Sequence, residues 1–302
     1  MESANRLISQ VDLREKASRV AWLRVGALGD LLVGLASLAE CSKLFPNAKI
    51  TVIGPKVWCE ILAAELYTYV EKIAVIEKRG QTAEIYLRQI NSATSSWTWM
   101  KERTLPLSEV FKAMSAVVNT NIDSYRYGLA ALKAGVPLRV GSAPREMAWI
   151  YTYSSPFFGK DPVLHERDAP LLLLEFAQKG FGRMLKSTIR NRQELPDLIK
   201  QSKFIQDWRS RGLPRGKDPN PARAEELTGC RAGHYVLVNP TSSRREKAWP
   251  ARRFREFVQT MQPVLREQGC EILILGAKHE TDWLNEVCGR EFRLVQPPTI
   301  AD

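Results

Sequence analysis

From Arg19 to Val25 the chain runs almost uninterrupted in apolar residues and stops at Gly26 and Gly29, a pattern that predicts a buried strand. Asp30 to Leu44 then changes period: Leu31, Leu35 and Leu38 share one helical face, Leu32, Ala36 and Ala39 lie beside it, and Pro46-Asn47 stops the run. Lys49 to Ile53 is a second strand, closed by Gly54-Pro55. Strand, glycine loop, helix and strand within about 35 residues make a βαβ unit, whose crossover is almost always right-handed.

The alternation continues. Lys72 to Ile76 and Ala113 to Val118 predict strands, and Tyr125 to Ala134 a helix closed by Gly135-Val136-Pro137. Between them Gln81 to Pro106, polar and Trp-containing, fits no clear period and is left unassigned. A leucine-rich helix from Leu174 to Gly182 closes a first domain, 1–185. The charged, proline-containing and weakly periodic stretch after it predicts a connector with some helix, 186–230. A second series fills 231–302: a strand Tyr235 to Asn239, and a helix after Pro250 with Phe254, Phe257, Val258, Met261 and Leu265 at helical spacing. A strand Glu271 to Gly276, a helix His279 to Cys288 and a strand Phe292 to Val295 follow. Two α/β domains of the doubly wound type are therefore expected. The second is expected to be incomplete, because about 70 residues with three strands make roughly half of such a domain.

A chain of 302 residues with 44% apolar and 25% charged residues suits two packed domains. No apolar run reaches the roughly 18 residues of a membrane span, and Met1 to Arg19 lacks the apolar block of a secretory signal, so a cytoplasmic location is expected. Cys41, Cys59, Cys230, Cys270 and Cys288 form no CxxC pair, and His165, His234 and His279 share no metal-ligand spacing, so neither disulfide, metal site nor cofactor is expected. The net charge of +11 favours anionic partners. It is spread along the chain, without a basic tail or an RNA-binding aromatic motif, which argues for phospholipid or an acidic glycolipid over nucleic acid.

Two loops carry candidate chemistry. Gly26-Ala-Leu-Gly29-Asp30 follows the first strand at its carboxyl end, where open α/β sheets place their ligands. Glycines allow close approach to backbone and the helix start offers N–H groups. Asp30 either caps that helix or takes a proton from a substrate hydroxyl. A nicotinamide site would need GxGxxG and an acidic residue after the second strand; here Gly54-Pro55-Lys56 stands there. A phosphate-binding P-loop is excluded by the absence of its Gly-Lys-Ser/Thr frame. In the second half, Asn239-Pro-Thr-Ser-Ser-Arg-Arg-Glu-Lys-Ala-Trp-Pro250 joins strand to helix. It is either a solvated basic loop or a cradle in which Thr241, Ser242, Ser243 and Lys247 hold a diphosphate.

In order, these pieces resemble glycosyltransferase family 9, the ADP-heptose:lipopolysaccharide heptosyltransferases. The matching segments are Leu23 to Asp30, Phe45 to Ile50 with Gly54-Pro55, Pro137 to Gly141 followed by His165-Glu166, Lys247 to Pro250 with Phe254, and Ile272 to Gly276. The resemblance implies a GT-B fold, two Rossmann-like domains facing across a cleft, with inversion at the anomeric carbon and no metal. It places Asp30 on the family's proposed base, and Lys247 with the preceding hydroxyls in the donor site. Arg24, Gly26 and Gly29 would shape the acceptor side. The implied partners are ADP-heptose or a related nucleotide sugar and an anionic lipopolysaccharide core precursor, met by peripheral contact with the inner-membrane surface.

Two departures stand out. Members often carry His-Thr and a proline after the aspartate, where this chain has Val33, Gly34 and Ala36. Their donor domain continues to an Asp-x-Gly-x-x-His-x-Ala segment not found before Asp302. A non-catalytic remnant or binding protein of the same fold is therefore the alternative.

Overall fold

In a computed structural model the apolar run after Lys16 forms β1 (Arg19–Leu23), with Val20 to Leu23 buried on both faces, as a central parallel strand demands. The structure describes residues 16–26, 28–62, 68–76, 81–91, 96–121, 125–155, 164–165, 167–180, 195–211, 221–241, 248–289 and 292–297. The chain divides into two units, Met1–Arg215 and Gly216–Asp302.

In the first unit β1 is followed by α1 (Leu28–Leu44), β2 (Lys49–Gly54), α2 (Val57–Ile61), β3 (Val70–Ile76), β4 (Thr82–Asn91), β5 (Ser96–Pro106), α3 (Leu107–Lys112) and β6 (Ala116–Asn119). Then come α4 (Arg126–Lys133), β7 (Leu138–Ser142), a 3-10 helix (Arg145–Ile150), β8 (Tyr153–Ser155), α5 (Asp168–Gly180), α6 (Leu195–Gln201) and α7 (Lys203–Arg211). The sheet order is β5-β4-β3-β2-β1-β6-β7-β8, with only β4 antiparallel to both its neighbours. β1 pairs in parallel with β2 (Val20 opposite Ile50) and with β6 (Val20 opposite Ala116). Alternate residues of β1 feed two cores: Val20 and Trp22 meet Leu31, Leu35 and Leu38 of α1, while Ala21 and Leu23 meet Phe111 of α3 and Ala131 of α4. Trp22 packs edge-on to Trp58 of α2 at 5.3 Å and lies against Gly34, whose missing Cβ would sit 3.2 Å from the indole.

The unassigned stretch from Gln81 to Pro106 is a long hairpin that extends this sheet. Its pairing shifts register at Ile85 and Tyr86, two consecutive buried residues that enter different cores, and this breaks the period-two signal. The 195–211 part of the expected connector packs on the first unit. Glu175 of α5 accepts from the Ser202 hydroxyl and the Phe204 N–H, Glu40 of α1 accepts from Trp208 Nε1 at 3.0 Å, and Asp168, 1% exposed, accepts from Arg209 at 2.7 Å.

The second unit holds α8 (Pro221–Thr228), β9 (Tyr235–Val238), α9 (Ala251–Glu267), β10 (Glu271–Leu275), α10 (Thr281–Cys288) and β11 (Arg293–Val295). All three strands are parallel, in the order β11-β10-β9. Val258 of α9 and Leu284 and Cys288 of α10 pack with Ile272 and Ile274 on one sheet face. Leu273, Val295 and Cys230 form a smaller core on the other.

Candidate functional site

The first unit's sheet changes direction at β1: strands proceed one way through β2 and β3 and the other way through β6, β7 and β8. The carboxyl end of β1 is therefore the topological switch point at which such sheets hold ligands. Asp30 lies there. It is the third residue of α1, within the first turn instead of at the cap, because the helix begins two residues earlier than its apolar periodicity suggests. A carboxylate in a first turn still complements the helix dipole.

Gly26 and Gly29, paired in the sequence, differ in surroundings. The Asp30 side chain lies over Gly26: a Cβ there would sit 2.7 Å from Asp30 Oδ2 and 2.8 Å from Asp30 Cβ. A Cβ on Gly29 would meet nothing within 4 Å. Arg24, expected on the acceptor side, is 5% exposed and turned into the protein. Its Nη1 donates to the Thr120 carbonyl at 2.7 Å and its Nε to the Asp30 carbonyl at 3.2 Å. Arg24 thereby ties the loop to Thr120 and to the first turn of α1.

Beneath the loop lies a polar layer that the sequence did not signal, Asn119, Thr120 and Asn121 at the end of β6, all buried. The Leu23 carbonyl accepts from the Thr120 N–H at 3.0 Å and the Thr120 hydroxyl at 2.8 Å. Asn121 Oδ1 accepts the Val25 N–H at 2.8 Å. Asn119 Nδ2 donates to the Tyr151 hydroxyl at 2.6 Å, and burial pushes that phenol up to about 12. Tyr151 fits because Gly128 and Gly141 leave room: a Cβ on Gly141 would be 2.3 Å from its ring. The only available signal was a run of short polar residues directly after an apolar strand.

In the second unit Thr241 stands just past β9, with its N–H and hydroxyl both donated to Asn239 Oδ1, at 3.0 and 2.8 Å. The hydroxyl keeps its acceptor capacity. Ser242, Ser243 and Lys247 lie outside the described residues. Pro250 occupies the N-cap of α9. Trp249, half exposed, packs edge-on to Phe254 at 5.4 Å, and Phe254 meets Trp283 at 6.3 Å. Among the described residues no group of three His, Cys, Asp or Glu could hold a metal ion, and no helix is long and apolar enough to cross a membrane.

Comparison with known proteins places residues 210–295 in the family model of glycosyltransferase family 9 (heptosyltransferase). No curated protein sequence matches the chain. Among solved structures it aligns with the glycosyltransferase family 9 protein of Veillonella parvula, at 16% identity over 92% of this chain and 68% of that one, with a TM-score of 0.54. The E. coli ADP-heptose lipopolysaccharide heptosyltransferase II gives 13% identity, 92% and 72% coverage and a TM-score of 0.54. E. coli heptosyltransferase WaaC, solved with ADP, gives 14%, 93% and 75%, with a TM-score of 0.50. The mixed α/β fold of the GT-B class is thus present, and the resemblance read from the sequence is met by both kinds of comparison.

Proposed function

We propose that this chain, which shares its fold and a family-model segment with glycosyltransferase family 9, is an inverting glycosyltransferase. It moves a heptosyl group from ADP-heptose, or a close nucleotide sugar, to an anionic lipopolysaccharide inner-core acceptor at the cytoplasmic face of the inner membrane. The observation that carries this reading is a carboxylate, Asp30, at the sheet's switch point in the first unit, in a chain whose residues 210–295 match the heptosyltransferase model.

Asp30 accepts the proton of the attacking acceptor hydroxyl. The oxygen of that hydroxyl bonds to the anomeric carbon from the face opposite the diphosphate, the bond from that carbon to the leaving oxygen breaks, and ADP departs with the electron pair. Negative charge grows on the leaving diphosphate, and Lys247 with the hydroxyls of Thr241, Ser242 and Ser243 stabilises it. The anionic acceptor suits the charge distribution. Residues 1–215 hold 31 basic against 21 acidic side chains and residues 216–302 hold 13 against 12, so nearly all the positive excess is on the Asp30 unit.

Calorimetric titration tests the donor half: ADP-heptose and ADP bind, and UDP-sugars do not. Equal binding of UDP-sugars would move the donor assignment elsewhere. NMR of the product tests the stereochemistry, with inversion expected at the transferred anomeric carbon.

A further inference from the structure

We propose that Asn121 is a positioning residue: it fixes Val25, just past β1, and thereby the place of the Asp30 carboxylate in the first turn of α1. This rests on the role of Asp30 proposed above, but the hydrogen bonds behind it do not. β1 ends at Leu23 and β6 at Asn119, and beyond them two ladder-like bonds continue, Arg24 N–H to the Ile53 carbonyl and Thr120 N–H to the Leu23 carbonyl, both at 3.0 Å. At Val25 the ladder is replaced by a side chain, and the N–H is received by Asn121 Oδ1 at 2.8 Å.

The chemistry selects asparagine. The Val25 N–H can only donate, so the amide oxygen must face it and the amide nitrogen must face the other way. There two acceptors wait, Asn119 Oδ1 at 3.0 Å and the Leu23 carbonyl at 3.4 Å. Asn119 Oδ1 also accepts the Asn121 N–H at 3.1 Å, and Asn119 is held in turn by Tyr151. One buried amide therefore joins a strand end to a loop that has left the sheet, and Arg24 extends the tie to the Asp30 carbonyl. An aspartate of the same shape would set negative charge against two acceptor oxygens, and an apolar residue would leave the Val25 N–H without that acceptor.

The test combines kinetics with glycine-selective amide NMR of the full chain. Asn121→Ala is expected to move the Gly26 and Gly29 signals while leaving Gly135 and Gly276 in place. It should also lower kcat by about 10- to 100-fold with KM for ADP-heptose within about threefold, the signature of a misplaced base. Unmoved Gly26 and Gly29 signals overturn the proposal, as does a loss confined to KM. If wild-type protein transfers no sugar yet the signals move, the loop-holding role stands and the transferase assignment falls. Should Asn121→Ala fail to fold, Asn121→Asp provides the same information. Its carboxyl, when neutral, can accept from Val25 and donate one hydrogen bond where the amide donates two, and when ionised cannot donate. The Gly26 and Gly29 signals should therefore sit near those of wild type at the same low pH and depart from them as pH rises. A loop insensitive to that titration also overturns the proposal.

Discussion

Alanine at Gly26 and at Gly29 separates two roles that the sequence presents together. Neither glycine is among the described residues with positive φ, so the backbone at both accepts a side chain and the outcome depends on space. At Gly26 the new Cβ would lie 2.8 Å from Asp30 Cβ and 2.7 Å from Oδ2, where ordinary contact begins near 3.4 Å. Relief requires a movement of about 0.6 Å, and because one of the atoms is Asp30 Cβ, a rotation of the carboxylate alone does not provide it. A misplacement of about 1 Å can cost on the order of 10²-fold in rate, so Gly26→Ala is expected to lower kcat by about 10- to 100-fold with little change in melting temperature. At Gly29 the space is open and the residue lies in the first turn of α1. Gly29→Ala is therefore expected to stabilise the fold by about 0.5–1 kcal/mol through loss of unfolded-state freedom. Any fall in its activity then reads as a rise in acceptor KM, because the methyl intrudes where substrate approaches. Steady-state transfer kinetics with thermal and urea unfolding of both variants gives all four quantities. A Gly26→Ala enzyme with unchanged kcat would refute the claim that this glycine seats Asp30.

Four further outcomes are measurable, the first two from the packing of α6 and α7 on the first unit. Glu175→Ala leaves the buried Ser202 hydroxyl and the Phe204 N–H without their acceptor and should cost about 1–3 kcal/mol in urea unfolding, far more than an exposed carboxylate would. Trp208→Phe removes the donor to buried Glu40 and should cost about 1–2 kcal/mol; a neutral result would mean that α7 is only loosely attached. For Tyr151 the folded phenol, at about 12, lies above its ordinary value near 10, so the neutral form is the one the fold favours. Its stabilisation is whole below about pH 10 and is lost as pH climbs toward 12, with about 1 kcal/mol gone by pH 11; Tyr151→Phe should flatten that part of the curve. Lys247→Ala should reduce kcat by about 10²–10³-fold and weaken ADP binding, read by the same assay and by calorimetry.

How much of this was legible follows from where each element's signal resides. β1, α1 and β2 could be read because a central parallel strand is apolar on both faces and its crossover helix is apolar on one, so Val20 to Leu23 and Leu31, Leu35 and Leu38 announce themselves. The hairpin from Thr82 to Pro106 could not, since buried Ile85 and Tyr86 stand side by side at a register shift while exposed Met100 to Thr104 carry charge along the sheet's edge. α6 and α7 resembled a linker because much of what holds them is polar: buried Glu40, Asp168 and Glu175 look solvent-facing in a sequence and become anchors only when Trp208, Arg209 and Ser202 reach them. At the site, Asp30 was visible beside its glycines. The backbone ties of Arg24 and the buried amides of Asn119 and Asn121 were not legible, because hydrogen bonds between residues some 96 positions apart leave no local pattern.

Transfer itself is the most direct measurement. Purified protein is incubated with ADP-heptose and a heptose-free, Kdo-bearing lipid A acceptor, and released ADP and acceptor mass are followed for wild type and Asp30→Ala. One heptose added per ADP released by wild type, with no transfer by a folded Asp30→Ala protein that still binds ADP, is the expected result. Transfer by Asp30→Ala at the wild-type rate would contradict the assignment of the base, and no sugar transfer by wild type to any inner-core acceptor would contradict the proposed function.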